Sequence, residues 1–164
     1  MNDGSEEARR AVAALITHGL TVAVAESLTG GLVTARLVDV PGSSSALRGG
    51  IVSYATDLKH DLLGVDSGLL ASRGPVDPDV AVMMAEGAAK RCHADLGLAT
   101  TGVAGPEGQD GHAPGEVHIA VVGADLREVR SLELSGDRET VRASTVAAVL
   151  RLLLEVLDRR AASN

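Results

Sequence analysis

The chain has no tryptophan and no phenylalanine, and Tyr54 is its only aromatic ring. Platforms on which nucleic-acid bases could stack are therefore missing, and a formal net charge of −7 opposes a surface that tracks phosphates. Nucleic acid is not expected as a partner. Cysteine is equally sparse: Cys92 stands alone, which excludes a disulfide framework and a cysteine cluster for zinc, and it reads as a small buried residue in a helix. No apolar run approaches the roughly 18 residues of a membrane span. The start, Met1-Asn2-Asp3-Gly4-Ser5-Glu6-Glu7, is acidic and has no apolar leader core. The expectation is a cytoplasmic protein with no membrane partner. Lysine is the last scarcity, since only Lys59 and Lys90 occur among fifteen basic residues.

What is present is aliphatic. Hydrophobic residues make up 45% of the 164, nearly all Ala, Val, Leu and Ile, enough for one domain with a tightly packed core. Residues 1–164 read as a single domain, with 1–7 and 160–164 as flexible ends. Ser5, Glu6 and Glu7 make a helix start, and the segment Ala8 to His18 stops at Gly19. Leu20 to Ala25 is short and continuously apolar, as a strand buried on both faces would be. Leu32 to Val40 is helical in pattern, and Pro41-Gly42 with the serines after it ends it. A second strand is expected over Gly50 to Tyr54, a short helix from Thr56 to Leu63 ended by Gly64, then turns as far as Pro75. Asp77-Pro78 is an acidic cap before a proline at the first helical position, and Val80, Met83, Met84, Gly87, Ala88 and Arg91 follow at helical spacing, a Met-rich face read as core. Asp95 to Thr100 reads as a strand, Thr101 to Gly115 as a loop, Glu116 to Gly123 and Glu128 to Leu134 as a hairpin, and Asp137 to about Arg159 as a long helix. The fold class is α/β, a three-layer α/β/α sandwich with a mixed sheet of about five strands.

The turn Val24-Ala25-Glu26-Ser27-Leu28-Thr29-Gly30-Gly31 lies between a strand and a helix. Ser27 sits where the chain turns, and the glycines let a substrate approach the backbone while N–H groups stay free for negative charge. A serine hydroxyl needs a base, and a lysine can serve if burial lowers its pKa. Tyr54 and Lys59 directly follow the second strand, whose end can lie beside the strand leading to Ser27. From these residues alone, Ser27 and Lys59 are either a dyad or a capping serine and a solvated lysine. The loop Thr101-Gly102-Val103-Ala104-Gly105-Pro106 either supplies N–H donors for an oxyanion or is a tight turn; it matches neither Gly-x-Gly-x-x-Gly nor a Walker loop. Asp110, His112, Glu116 and His118 invite a metal reading, but no dense ligand motif supports one and they read as ordinary loop or surface residues. Arg138 and Arg142, one turn apart, either face one phosphate or pair with Asp137 and Glu139.

Taken together, these segments resemble the CinA C-terminal domain family, whose stand-alone members are the PncC-type nicotinamide-nucleotide amidases. The likeness runs from about Ala8 to Leu157. It is carried by Ala25 to Gly31, Pro41-Gly42-Ser43-Ser44, Gly49-Gly50-Ile51-Val52-Ser53-Tyr54, Lys59 with Leu62-Leu63-Gly64-Val65, Thr101 to Pro106, and Gly136-Asp137-Arg138 with Arg142. The resemblance implies deamidation of nicotinamide mononucleotide to nicotinate mononucleotide with release of ammonia, a step of pyridine-nucleotide recycling, by a metal-independent Ser/Lys mechanism with no cofactor. Under it Ser27 attacks the carboxamide carbon, Lys59 accepts its proton and Tyr54 supports the lysine or the bound ring. Thr101 and Gly102 line the oxyanion and amide side. Thr29, Gly30 and Gly31 open a helix whose N–H groups hold oxyanion or phosphate, with Arg142 the first side chain for the phosphate.

The sequence departs from the family at Leu28, where many relatives carry cysteine, at Ala55-Thr56, which replaces a common Ser-Asn, and over Glu107 to His112, which lacks the usual glycine-rich stretch with a lysine. The last puts substrate-edge contacts in doubt more than chemistry. Larger CinA proteins carry a further N-terminal domain for which this chain has no room, so pyrophosphatase function is not expected. The alternatives are a nucleotide-binding or protein-interaction module on the same fold, or an amidase for another carboxamide. The long C-terminal helix and the aliphatic composition suggest a homodimer.

Overall fold

The computed structural model describes residues 1–164. In chain order the elements are α1 (Ser5–His18), β1 (Val22–Glu26), α2 (Leu32–Val38), a 3-10 turn (Ser43–Ser45), β2 (Leu47–Val52), α3 (Thr56–Leu63), α4 (Ser67–Arg73), α5 (Pro78–Cys92), β3 (Leu96–Gly102), β4 (Glu116–Gly123), β5 (Leu126–Glu133) and α6 (Arg138–Ala162). The five strands form one sheet in the order β2-β1-β3-β4-β5. β1 runs parallel to both β2 and β3, while β4 and β5 run antiparallel. This is the mixed sheet expected from the sequence, with helices on both faces.

Local signals explain most boundaries. Gly19 and Gly64 take up left-handed backbone conformations that close α1 and α3. The Asp77 carboxylate accepts the Asp79 and Val80 N–H groups ahead of α5, and Asp137 accepts that of Thr140 ahead of α6. Three expectations change. The stretch before Pro75 contains a helix, α4, capped by Asp66 accepting from Leu69 N–H at 2.7 Å. β2 begins at Leu47 and ends at Val52, so Tyr54 lies beyond it, whereas Thr101 and Gly102 belong to β3 instead of a loop. At the ends of the chain, α1 starts at Ser5, where Glu7 accepts from Asn2 Nδ2 at 2.9 Å and Arg151 Nη2 at 3.0 Å, and α6 continues to Ala162.

The two faces of the sheet are packed differently. Val22, Val24, Leu96, Leu98, Val117, Ile119 and Val121 pack with residues of α1, α2 and α6, whereas Ala23, Ala25, Ala99 and Ala120 face α5. Alternation of side chains along each strand thus separates a bulky face from a small-residue face. Small residues let α5 sit close: a Cβ on Gly97 would strike the Ala85 carbonyl. Met84 is fully buried in that layer, as its spacing suggested, while Cys92 at the end of α5 is only half-buried. The apolar stripe of α6, including Val149, Leu150, Leu153 and Leu157, packs inside the chain. None of the large exposed apolar residues belongs to α6. No helix is long and apolar enough to cross a membrane.

Because backbone, not a flexible side chain, blocks the space at Gly97, Gly97→Val is expected to cost at least about 2 kcal/mol of folding stability. Urea unfolding compared with wild type measures it.

Candidate active site

β1 is followed by β2 on one side of the sheet and, after α3, α4 and α5, by β3 on the other. The strand order therefore reverses between β1 and β3, and the carboxyl ends of such strands form a crevice. Register brings the ends level: Glu26 stands opposite Val52 on one side and Thr100 on the other. Ser27 is the first residue past β1, with its N–H donated to the Thr100 carbonyl at 3.1 Å and its side chain almost wholly buried. Alternation assigns neighbouring residues to opposite faces. Glu26, fully buried, turns to α2 and accepts from Val33 N–H at 2.9 Å, Thr34 N–H at 3.0 Å and Thr34 Oγ1 at 2.7 Å. Ser27 turns to the crevice.

Lys59 comes from the second turn of α3 and is 1% exposed. Its Nζ donates to Ser27 Oγ at 2.9 Å, to the Ser53 carbonyl at 2.7 Å and to the Tyr54 carbonyl at 3.3 Å. Those three acceptors match the three hydrogens of an ammonium. No carboxylate lies within salt-bridge distance of Nζ. Burial therefore acts unopposed and pushes the lysine down from 10.5 to about 8. In the neutral amine two N–H bonds can remain on the carbonyls while the lone pair faces the Ser27 hydroxyl, the arrangement a general base needs.

A cavity of about 220 Å³ opens over this pair. Ser27, Lys59 and Leu28 form its floor, the end of β3 at Thr101 and Gly102 one wall, and Tyr54, Glu107 and Arg138 its rim. The Leu28 N–H, directly after Ser27, has no hydrogen-bond partner in the chain. Arg138 donates from Nη1 to the Gly105 carbonyl at 2.7 Å and from Nη2 to the Tyr54 hydroxyl at 3.3 Å, joining three separate segments across the mouth. A serine held by a desolvated lysine and followed by a backbone N–H with no partner in the chain can perform nucleophilic attack on a carbonyl carbon.

The model of the CinA C-terminal domain matches residues 5–157. The chain belongs to the CinA C-terminal domain family. Among curated relatives, a CinA-like protein of Frankia casuarinae is 50% identical over 143 residues, which is 87% of this chain and 33% of the relative. A putative competence-damage inducible protein of Desulforudis audaxviator is 46% identical over 90% of this chain and 36% of its own length. The chain thus spans about a third of the curated relatives it matches. Among solved structures, the competence/damage inducible protein CihA of Agrobacterium tumefaciens is 35% identical with a TM-score of 0.91, over 96% of this chain and 97% of that one.

Within this family fold the expected site residues divide. Ser27, Lys59, Tyr54, Thr101 and Gly102 meet at one cavity. Tyr54 reaches the lysine through its carbonyl, however, and the residue is 62% exposed at the rim. The Thr101 hydroxyl donates to the Pro75 carbonyl at 2.7 Å, and Gly102 lacks a Cβ because Val117 Cα would lie 2.8 Å from it. Thr29, Gly30, Gly31 and Arg142 do not line the cavity. Thr29 is buried with Oγ1 2.8 Å from Thr100 Oγ1. The start of α2 is taken by Glu26, so its Val33 and Thr34 N–H groups are not open to a substrate anion. Arg142 donates to the carbonyls of Leu28 at 2.9 Å and Thr29 at 3.3 Å, behind the turn. Sequence spacing did not single out Glu26, although an acidic residue before a helix start is a capping signal. His112 Nδ1 and His118 Nε2 lie 2.9 and 3.2 Å from one Glu116 oxygen, and Asp110 takes no part. Burial alone would raise the Glu116 carboxyl, but these hydrogen bonds outweigh it and hold it below its ordinary value.

Glu26→Gln removes charge from a buried acceptor of three donors and is expected to lower stability by roughly 1–3 kcal/mol. Chemical denaturation reads the loss.

Proposed function

We propose that this chain is an amidohydrolase that converts nicotinamide mononucleotide to nicotinate mononucleotide and ammonia. The observation that carries the reading is the 2.9 Å contact between Lys59 Nζ and Ser27 Oγ in a buried setting that brings the lysine pKa to about 8. Neutral Lys59 takes the hydroxyl proton as Ser27 Oγ bonds to the carboxamide carbon, and the carbonyl oxygen becomes an oxyanion facing the Leu28 N–H. Lys59 then passes the proton to the amide nitrogen as the C–N bond breaks and ammonia leaves. Water attacks the resulting ester carbon, losing its proton to Lys59. Collapse returns that proton to Ser27 Oγ and frees the carboxylate. Atoms balance as amide plus water giving acid plus ammonia, and every proton transfer uses groups already at the site.

The same pKa sets the pH dependence. A base must be deprotonated, so kcat/KM is expected to fall about tenfold per pH unit well below 8 and to level off above it. Ammonia release is followed from pH 6 to 10 in the presence of EDTA, which a Ser/Lys mechanism tolerates. Ser27→Ala and Lys59→Ala are expected to lower kcat/KM by at least about a hundredfold. Lys59→Arg should be as inactive as Lys59→Ala, because a guanidinium stays protonated throughout that range. A wild-type protein that binds the nucleotide without releasing ammonia would mark a binding module instead.

A further inference from the structure

The amidase chemistry occupies the floor of the cavity, and its rim carries charges that this chemistry does not use. Glu107 faces the cavity from the loop after β3, yet its carboxylate enters none of the chain's side-chain hydrogen bonds and none of its salt bridges. Arg138 faces the same cavity, and both groups it binds, the Gly105 carbonyl and the Tyr54 hydroxyl, are neutral. Glu107 lies only two residues beyond Gly105, but the two charges do not pair within 4 Å. An unpaired anion and an unpaired cation thus border one small mouth. Tyr54, the single aromatic ring of the chain, lines the same cavity at its rim.

We propose that Glu107 and Arg138 make the cleft selective for a dipolar carboxamide, with Glu107 reading a positive charge on the ligand ring and Arg138 reading an anionic tail. The inference rests on the amidase reading for the identity of the carboxamide. Lys59 and Ser27 at the floor fix where the amide group goes, so the remainder of a ring-bearing ligand must pass the rim. A quaternary pyridinium there meets a carboxylate and the face of a tyrosine, both of which attract a cation. A guanidinium whose present partners are neutral oxygens retains its full charge for a phosphate, which it can engage through two N–H groups. A neutral ring of the same shape gains nothing from Glu107, and the same cation without its phosphate gains nothing from Arg138. Glu107 and Arg138 are both exposed, so this selectivity belongs to the rim and not to the floor that holds Ser27 and Lys59.

The test measures binding by calorimetry in Ser27→Ala protein, which holds ligand without turnover, using three probes: nicotinamide mononucleotide, its reduced dihydropyridine form with an uncharged ring, and nicotinamide riboside without the phosphate. Glu107→Gln is expected to weaken nicotinamide mononucleotide and the riboside about fivefold to tenfold and to leave the reduced form within about twofold. Glu107→Lys should widen the gap. Arg138→Gln is expected to weaken both phosphate-bearing probes and spare the riboside. Equal effects of Glu107→Gln on charged and uncharged rings, or no effect on either, would overturn the proposal even if wild type releases ammonia. Charge-dependent binding by a protein that releases no ammonia would support the proposal while removing the amidase reading. Failure of wild type to bind any of the three would overturn both.

Discussion

The buried ammonium of Lys59 is the constraint on which the arrangement of the site depends. Taking a charge out of water costs several kcal/mol unless partners replace its hydration, and here the replacements are the Ser53 and Tyr54 carbonyls and the Ser27 hydroxyl. Both carbonyls are free only because β2 ends at Val52. The hydroxyl is within reach only because β1 ends level with β2. Strand lengths, register and the start of α3 are thereby tied to one nitrogen atom. The incomplete compensation, three neutral acceptors and no carboxylate, is also what brings the lysine into a useful pKa range. A salt bridge in place of the serine would stabilise the ammonium and raise its pKa, and the base would be lost.

The turn after β1 meets a second requirement, which is to leave the Ser27 hydroxyl free of helix capping. Serine before a helix commonly caps it. The neighbouring Glu26 takes the capping task from the opposite face, binding two N–H groups at the start of α2. Arg142 secures the carbonyls of Leu28 and Thr29 from α6. Ser27 is left with Lys59 as its side-chain partner. The glycines at 30 and 31 keep left-handed backbone in this turn, and a Cβ on Gly30 would come within 3.4 Å of Arg142 Nη2.

Much of this was legible in the sequence because the signals are local. Glycine stops, acidic caps and apolar runs located α1, α3, α5, α6 and every strand to within a few residues. What escaped was α4, whose sequence Ser67-Gly68-Leu69-Leu70-Ala71-Ser72-Arg73 mixes turn formers with only a short apolar pair; its Asp66 cap and the burial of Leu70 decide the outcome. Directions of side chains at the site were less legible. Arg138 and Arg142 share a helix face and are indistinguishable by spacing, yet one turn is about 5.4 Å along the axis. That displacement puts Arg138 over the cavity and Arg142 behind the nucleophile turn. Likewise Thr29 and Thr101 have the right chemistry for a site, but buried partners on adjoining strands and loops claim both hydroxyls.

Floor and rim are built on different terms. The floor consists of groups fixed by strand ends and a helix turn, where a shift of an ångström would separate Lys59 from Ser27. The rim is assembled from Tyr54, the loop carrying Gly105 and Glu107, and the first residue of α6, held together at the mouth by the hydrogen bonds of one guanidinium. The loop is anchored further along through His112 and Glu116, so residues between its anchors carry no core packing. Substitutions there change the charge at the mouth without touching the Ser27–Lys59 contact. The two unpaired charges, Glu107 and Arg138, therefore sit on the part of the site whose sequence is least bound by the core.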